Sequence, residues 1–268
     1  MKNIDIIADG LRFPEGPAFT SDGTLWCVEQ EGASLFWLKP DGTSGRVHVG
    51  IGSRPNGLYI DDRDRIWFCD SGLHAIRCIN YPDQEPETIV DQINDEPLNW
   101  PNDLTFDPEG NLIFTCPGSP DEDEPGFVGV CSPVGEVKKI SEKLFYPNGL
   151  AFLPNGRTLL VAETHRKRIW AGRWDADGLN WINPTVWAET GAGGFGPDGL
   201  TLGPDNLLYA AIYGGSCLQV YKPTGVLSHS IQLPGKNPSN CAFDPTGKLG
   251  LVVTETEKGQ LLCVKGYS

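Results

Sequence analysis

Six short motifs carry the chemistry open to this chain. Each starts at a proline and places an oxygen-bearing side chain directly after it. Glu15 follows Pro14, Asn56 follows Pro55, Asn102 follows Pro101, Asn148 follows Pro147, Asp198 follows Pro197 and Ser239 follows Pro238. Two carboxylates held close repel each other unless they are protonated or matched by a cation. Amide oxygens add neutral hard donors, and such a set suits Ca²⁺, Mg²⁺ or Mn²⁺. No histidine stands in the set, which argues against a histidine-rich zinc site. A single Pro-Asn-Gly or Pro-Asp-Gly would mean no more than a turn. Their recurrence in phase points to a site instead, as does Pro14-Glu15-Gly16, because glutamate is not a favoured turn residue.

The elements that would position these residues repeat with them. The prolines stand 41 to 50 residues apart, in the range of β-propeller blades. After each proline comes a short apolar run, as in Leu104-Thr105-Phe106 or Leu150-Ala151-Phe152. A turn sequence follows, such as Ser21-Asp22-Gly23 or Pro108-Glu109-Gly110, and then a richer apolar run such as Ile66-Trp67-Phe68-Cys69. These are hairpin signals. About four strands fit each unit, so the sequence predicts an all-β, six-bladed β-propeller as a single domain over residues 1–268. The last unit has room for only three strands before the chain ends. The orphan run Ile4 to Ala8 is therefore expected to supply its outer strand, closing the ring and covering a sheet edge.

In a propeller the first strand of each blade lines the central channel. The six residues after the prolines then form a ring at one depth, and the segments after the second strands rim it. Those segments are Gln30-Glu31-Gly32, Ser71 to His74, Pro117-Gly118-Ser119, Thr164-His165-Arg166, Tyr213-Gly214-Gly215 and Glu255-Thr256-Glu257. His165, Arg54, Asn56 and Trp100 are candidate substrate-facing residues.

Composition excludes several function classes. The formal net charge is −14 and the sequence pI is near 4.6, so a phosphate backbone is an unsuitable partner and no nucleic acid is expected. No apolar run is long enough to span a membrane, and no targeting segment opens the chain; a cytoplasmic protein acting on a small molecule, as a monomer or small homo-oligomer, is the expectation. The eight cysteines include no Cys-X-X-Cys pair and are read as buried, reduced thiols. There is no Gly-X-Ser-X-Gly elbow for a serine hydrolase, and no phosphate loop or dinucleotide fingerprint.

Arg12-Phe13-Pro14-Glu15-Gly16-Pro17, Pro101-Asn102-Asp103, Tyr146-Pro147-Asn148-Gly149-Leu150 and Pro197-Asp198-Gly199-Leu200 resemble motifs of the SMP-30/gluconolactonase/LRE (regucalcin-like) family, in family order and across nearly the whole chain. The resemblance implies a six-bladed propeller with one divalent cation, Ca²⁺ first, with Mg²⁺, Mn²⁺, Zn²⁺ or Fe²⁺ as alternatives. It implies hydrolysis of a lactone, gluconolactonase-like. Glu15, Asn148 and Asp198 match the family's metal ligands. Asp198 also matches the residue usually given the general-base role, and Asn102 a residue at the metal or its bound water and substrate.

Two positions depart from the family pattern. Sugar-lactonase members often carry an arginine where this chain has Trp100. They also tend to carry acidic residues near the following hairpin, where this chain has Cys116-Pro117-Gly118-Ser119. A less polar lactone or ester is the expectation that follows. Two other readings stay open: phosphotriester or phosphofluoridate hydrolysis on a Glu-Asn-Asn-Asp set (Glu15, Asn102, Asn148, Asp198), and a non-catalytic metal-binding propeller.

Overall fold

The computed structural model describes residues 4–81, 85–118, 124–191 and 193–267. The predicted rim residue Ser119 and most of the acidic run at 121–124 lie outside them. Six four-stranded antiparallel sheets form the blades of a β-propeller. Their first strands are Pro14–Phe19, Pro55–Ile60, Leu104–Phe106, Pro147–Phe152, Gly196–Leu202 and Pro238–Phe243. These pack against one another around the axis, while the second strands are sandwiched between blades. Leu25–Glu29, Ile66–Asp70, Leu112–Cys116 and Leu251–Glu255 are buried at every position. That is why these runs are continuously apolar instead of alternating. The outer strand Ser44–His48 shows the alternation of a half-exposed strand.

The core lies between blades, not within them. Trp67, Ile76 and Cys78 of blade 2 pack with Leu104, Leu112 and Phe114 of blade 3. Full burial of a side chain such as Phe114 is worth about 1.5–3 kcal/mol, so each blade stabilises its neighbours. All eight cysteines are buried and free.

The N-terminal strand Ile4–Ala8 is the outer strand of blade 6. It pairs antiparallel with Gln260–Val264, Ile4 opposite Val264 and Ile6 opposite Leu262. An ion pair from Lys265 to Asp5 at 2.5 Å flanks it. The segment 91–100 contains a two-residue ribbon pairing Gln92–Ile93 with Glu96–Pro97. Among the described residues, no helix is long and apolar enough to cross a membrane.

At one end of the channel the hairpins between first and second strands share one device. An Asp or Asn side chain accepts N–H groups from its own turn. Asp22 takes that of Thr24 at 2.9 Å, Asp107 those of Glu109 and Asn111 at 3.0 and 2.7 Å, and Asp244 that of Thr246 at 2.8 Å. The prolines and their following residues lie at the other end.

Candidate active site

At that other end, the first strand enters through a kink. Register shifts fall between Pro55 and Leu58 and between Pro147 and Leu150, so the Pro-X-Gly tripeptide is a β-bulge. The glycine is there because inner strands of adjacent blades touch. A Cβ on Gly149 would lie 2.4 Å from the carbonyl oxygen of Asp198, and one on Gly16 would lie 2.4 Å from the nitrogen of Leu58. The bulge aims the preceding side chain at the axis.

Glu15, Asn56, Asn102, Asn148 and Asp198 all line one cavity of about 390 Å³ at the channel mouth. Ser239, the sixth residue of the expected ring, does not. Its blade shifts register between Pro238 and Asn240, and its hydroxyl lies beside the Glu15 carboxyl instead of facing the cavity. It donates to the carbonyl of Pro14 at 3.2 Å and bonds the Thr254 hydroxyl at 2.9 Å, tying blade 6 to blade 1. Arg54, Trp100 and His165 also line the cavity, together with Gln30, Glu31, Ser71, Pro117, Gly118, Thr164 and Tyr213 of the expected rim. His74 and the Glu255 to Glu257 segment are not part of it.

The floor is buried and negative. Burial, followed by the Asp103 charge, raises the Glu15 carboxyl to about 8, against a hydrogen bond from the Gly16 N–H at 2.9 Å. Burial pushes Asp198 well above the ordinary carboxylate range, and the charges of Glu15 and Asp103 push it further. Neither carboxylate has an ion-pair partner among the described residues. The Nδ2 of Asn148 donates to Thr164 Oγ1 at 3.2 Å, and the Asn148 amide also hydrogen-bonds the Asp198 carboxyl, which opposes the upward shift there. Asn102 is 8 % exposed, yet its amide has no protein partner among the described residues. That amide opens on the cavity and is free to meet a ligand there.

These residues fit a divalent cation. Two buried carboxylates lacking countercharge balance its charge, and amide oxygens complete a hard donor set. Among the described residues no group of three or more His, Cys, Asp or Glu side chains is arranged to hold a metal ion, so a cation here has to draw on the amides.

Two channel residues escaped the sequence reading. Asp103 is 7 % exposed and Asn240 8 %. Burial raises Asp103 to about 7, against the Leu104 N–H that it accepts at 2.8 Å and a hydrogen bond from Asn240. Asp103 and Asn240 occupy the glycine position of the repeat in blades 3 and 6. Their side chains fill space that the neighbouring glycines vacate: a Cβ on Gly57 would lie 2.2 Å from Asp103 Oδ1, and one on Gly199 2.1 Å from Asn240 Cγ. The signal was present, in that Pro101-Asn102-Asp103 and Pro238-Ser239-Asn240 break the Pro-X-Gly rule.

Above the floor stand aromatic rings. Phe13, Trp100 and Tyr146 each sit two residues before a floor residue and directly before the proline. All three have left-handed backbones, with φ of 58, 57 and 57°. Such a conformation costs about 1–3 kcal/mol and persists only when its surroundings enforce it. Here buried carboxylates at the ends of second strands contribute to that enforcement. Glu29 accepts the Arg12 N–H at 3.1 Å and Glu163 the Phe145 N–H at 2.8 Å. The carbonyls of Phe13 and Tyr146 then accept N–H groups of Gln30 and Thr164. His165 stacks on Tyr146 with centroids 4.7 Å apart, and Phe195 and Tyr213 complete the wall.

Residues 13–257 match the family described as SMP-30/Gluconolactonase/LRE-like region. The chain is 29% identical to a gluconolactonase of Zymomonas mobilis, over 91% of this chain and 77% of that protein. It is also 29% identical to a diisopropyl-fluorophosphatase of Loligo vulgaris, over 94% and 88%. Among solved structures, a calcium-binding regucalcin of Agrobacterium tumefaciens shares the fold with a TM-score of 0.85 and 22% identity, over 98% of this chain and 94% of that one.

Proposed function

The chain belongs to the SMP-30/gluconolactonase/LRE-like family, and from that footing we propose that it is a divalent-metal-dependent hydrolase of lactones or related esters. The relatives named gluconolactonase and lactonase support hydrolase activity on lactones. The observation that carries the metal-dependent reading is the pair of buried, unpaired carboxylates, Glu15 and Asp198, on a floor shared with the unpartnered amide of Asn102.

Glu15, Asn148 and Asp198 would hold the cation, with Ca²⁺ the first choice for all-oxygen donors. When bound, it supplies Lewis acidity toward an ester carbonyl oxygen and makes water more acidic. The remaining chemistry belongs to side chains. Asn102 can donate its free N–H to the oxygen on which negative charge develops. Asp198 can accept a proton from the attacking water. Burial, then the Glu15 and Asp103 charges, raises the proton affinity of the Asp198 carboxylate, which strengthens it as an acceptor. Aromatic side chains displace bulk water around the reacting carbonyl, and Trp100 favours a less polar lactone or ester over a sugar lactone.

The relative named diisopropyl-fluorophosphatase favours a second reading, hydrolysis at phosphorus, because Glu15, Asn102, Asn148 and Asp198 offer the same type of donors to a phosphoryl oxygen. A panel of lactones, aryl esters and phosphotriesters, assayed with and without EDTA and with calcium restored, tests both. Chelator-sensitive turnover is expected, highest on lactones. A metal-binding protein without turnover on any class would overturn the hydrolase reading.

A further inference from the structure

The cavity wall has two unlike halves. One arc runs through blades 3, 4 and 5 and is aromatic: Trp100, Tyr146, Phe195 and Tyr213. The opposite arc belongs to blades 1 and 2 and is mostly polar, with Gln30, Arg54, Asn56 and Ser71 beside the ring of Phe13. Both arcs are built features. The aromatic arc includes Trp100 and Tyr146 on left-handed backbones, and the Tyr146 segment is held by Glu163 and the Thr164 N–H. On the polar arc the N–H of Arg54 donates to buried Asp70 at 2.9 Å, and its carbonyl accepts both the N–H and the hydroxyl of Ser71, at 3.0 and 2.9 Å. Gly72 leaves room for its stem, since a Cβ there would lie 3.0 Å from Arg54 Cγ.

The head of Arg54 is exposed and underused. Its one side-chain bond among the described residues is to Gln30 Oε1 at 3.2 Å, and it forms no ion pair there although Glu31 lines the same cavity. A guanidinium carries five donors in a fixed fork suited to carboxylates. An unpaired arginine at the mouth of a chain with net charge −14 is a local exception that can receive an anionic group.

Resting on the hydrolase reading, we propose that this site takes amphiphilic lactones or esters, with an aromatic or other flat apolar body lying on the arc of blades 3 to 5 and an anionic or strongly hydrogen-bond-accepting group reaching Arg54. A polyhydroxylated sugar lactone fits poorly. Its hydroxyls on the aromatic side meet ring faces, where losing water without a replacement bond is costly.

The test uses three substrates with the calcium-loaded enzyme: γ-phenyl-γ-butyrolactone, its para-carboxy derivative and D-glucono-1,5-lactone. The expected order of kcat/KM is carboxy-phenyl, then phenyl, then glucono. Arg54→Gln should shrink the carboxy-to-phenyl ratio by about tenfold, the scale of one pocket contact. Calorimetric binding of the two matching phenyl lactams, which resist hydrolysis, should show the same preference and the same loss in Arg54→Gln. An Arg54→Gln ratio equal to the parent's in both measurements would overturn the proposal, and so would glucono-lactone as the best substrate. If the lactams bind in the expected order while none of the lactones turns over, the pocket inference stands and the hydrolase reading falls.

Discussion

The two ends of the central channel hold cavities of similar size, about 390 Å³ at the mouth described above and about 430 Å³ at the far end. Their linings differ. The far cavity is walled by inner-strand positions such as Ala18, Leu58, Thr105, Ala151 and Thr201. The turns around it repeat one plan six times, with an Asp or Asn capping its own hairpin. The mouth repeats a plan as well, but varies the side chain on it: Glu, Asn, Asn, Asn, Asp on the floor, and Phe, Arg, Trp, Tyr one layer up. Volume therefore comes from ring closure and carries no function by itself. Chemistry comes from the positions at which the repeat departs from uniformity. Asp103 and Asn240 sit between the two regimes, as polar substitutions of a glycine that the other four blades keep.

Neutralising the floor should have the largest effect. Asp198→Asn and Glu15→Gln should each lose bound divalent metal and lower kcat/KM by on the order of 10²–10³-fold or more, with the fold retained by circular dichroism. Elemental analysis that finds full metal occupancy in both variants would remove them from the proposed donor set.

The far end should respond oppositely. Asp107 accepts the Nδ2 of Asn111 and the indole N–H of Trp174, both at 2.7 Å, besides two turn N–H groups. Asp107→Ala leaves buried donors unsatisfied, at about 1–3 kcal/mol each, so the melting temperature should drop by several degrees. Catalysis by the folded fraction should be unchanged. A variant that melts like the parent but loses turnover would mean that the far turns serve the site and that the contrast between the ends is false.

The smallest effect concerns protons. Folding raises the Glu15 and Asp198 carboxyls above their unfolded values. A raised carboxyl contributes stability that is fully present below its unfolded pKa and is lost as pH rises through its folded pKa. The metal-free protein should thus lose a few degrees of melting temperature between about pH 5 and pH 8, beyond any loss in Glu15→Gln. Saturating calcium, which replaces the protons as countercharge, should flatten the difference. Parallel melting curves for parent and Glu15→Gln across that window would show that the carboxyls carry no such strain.

Much of this molecule was legible as text. Blade number, the order of strands and the pairing of Ile4–Ala8 with the last blade follow from periodic local patterning, because turn residues and apolar alternation act over a few neighbours. Five of the six ring residues could be placed because the bulged Pro-X-Gly entry recurs in phase. Ser239 could not, since its orientation depends on a register shift one residue shorter than in blades 2 and 4. The broken Pro-X-Gly pattern marks Asp103 and Asn240, but their packing against Gly57 and Gly199 was out of reach, and so were the arrangement of the cavity wall and the lack of an ion pair at Arg54 among the described residues. Those properties belong to contacts between blades separated by dozens of residues, where a missing Cβ on one strand makes room for a side chain on the next. Local sequence determines what each blade presents, and ring closure decides which of those groups share one space.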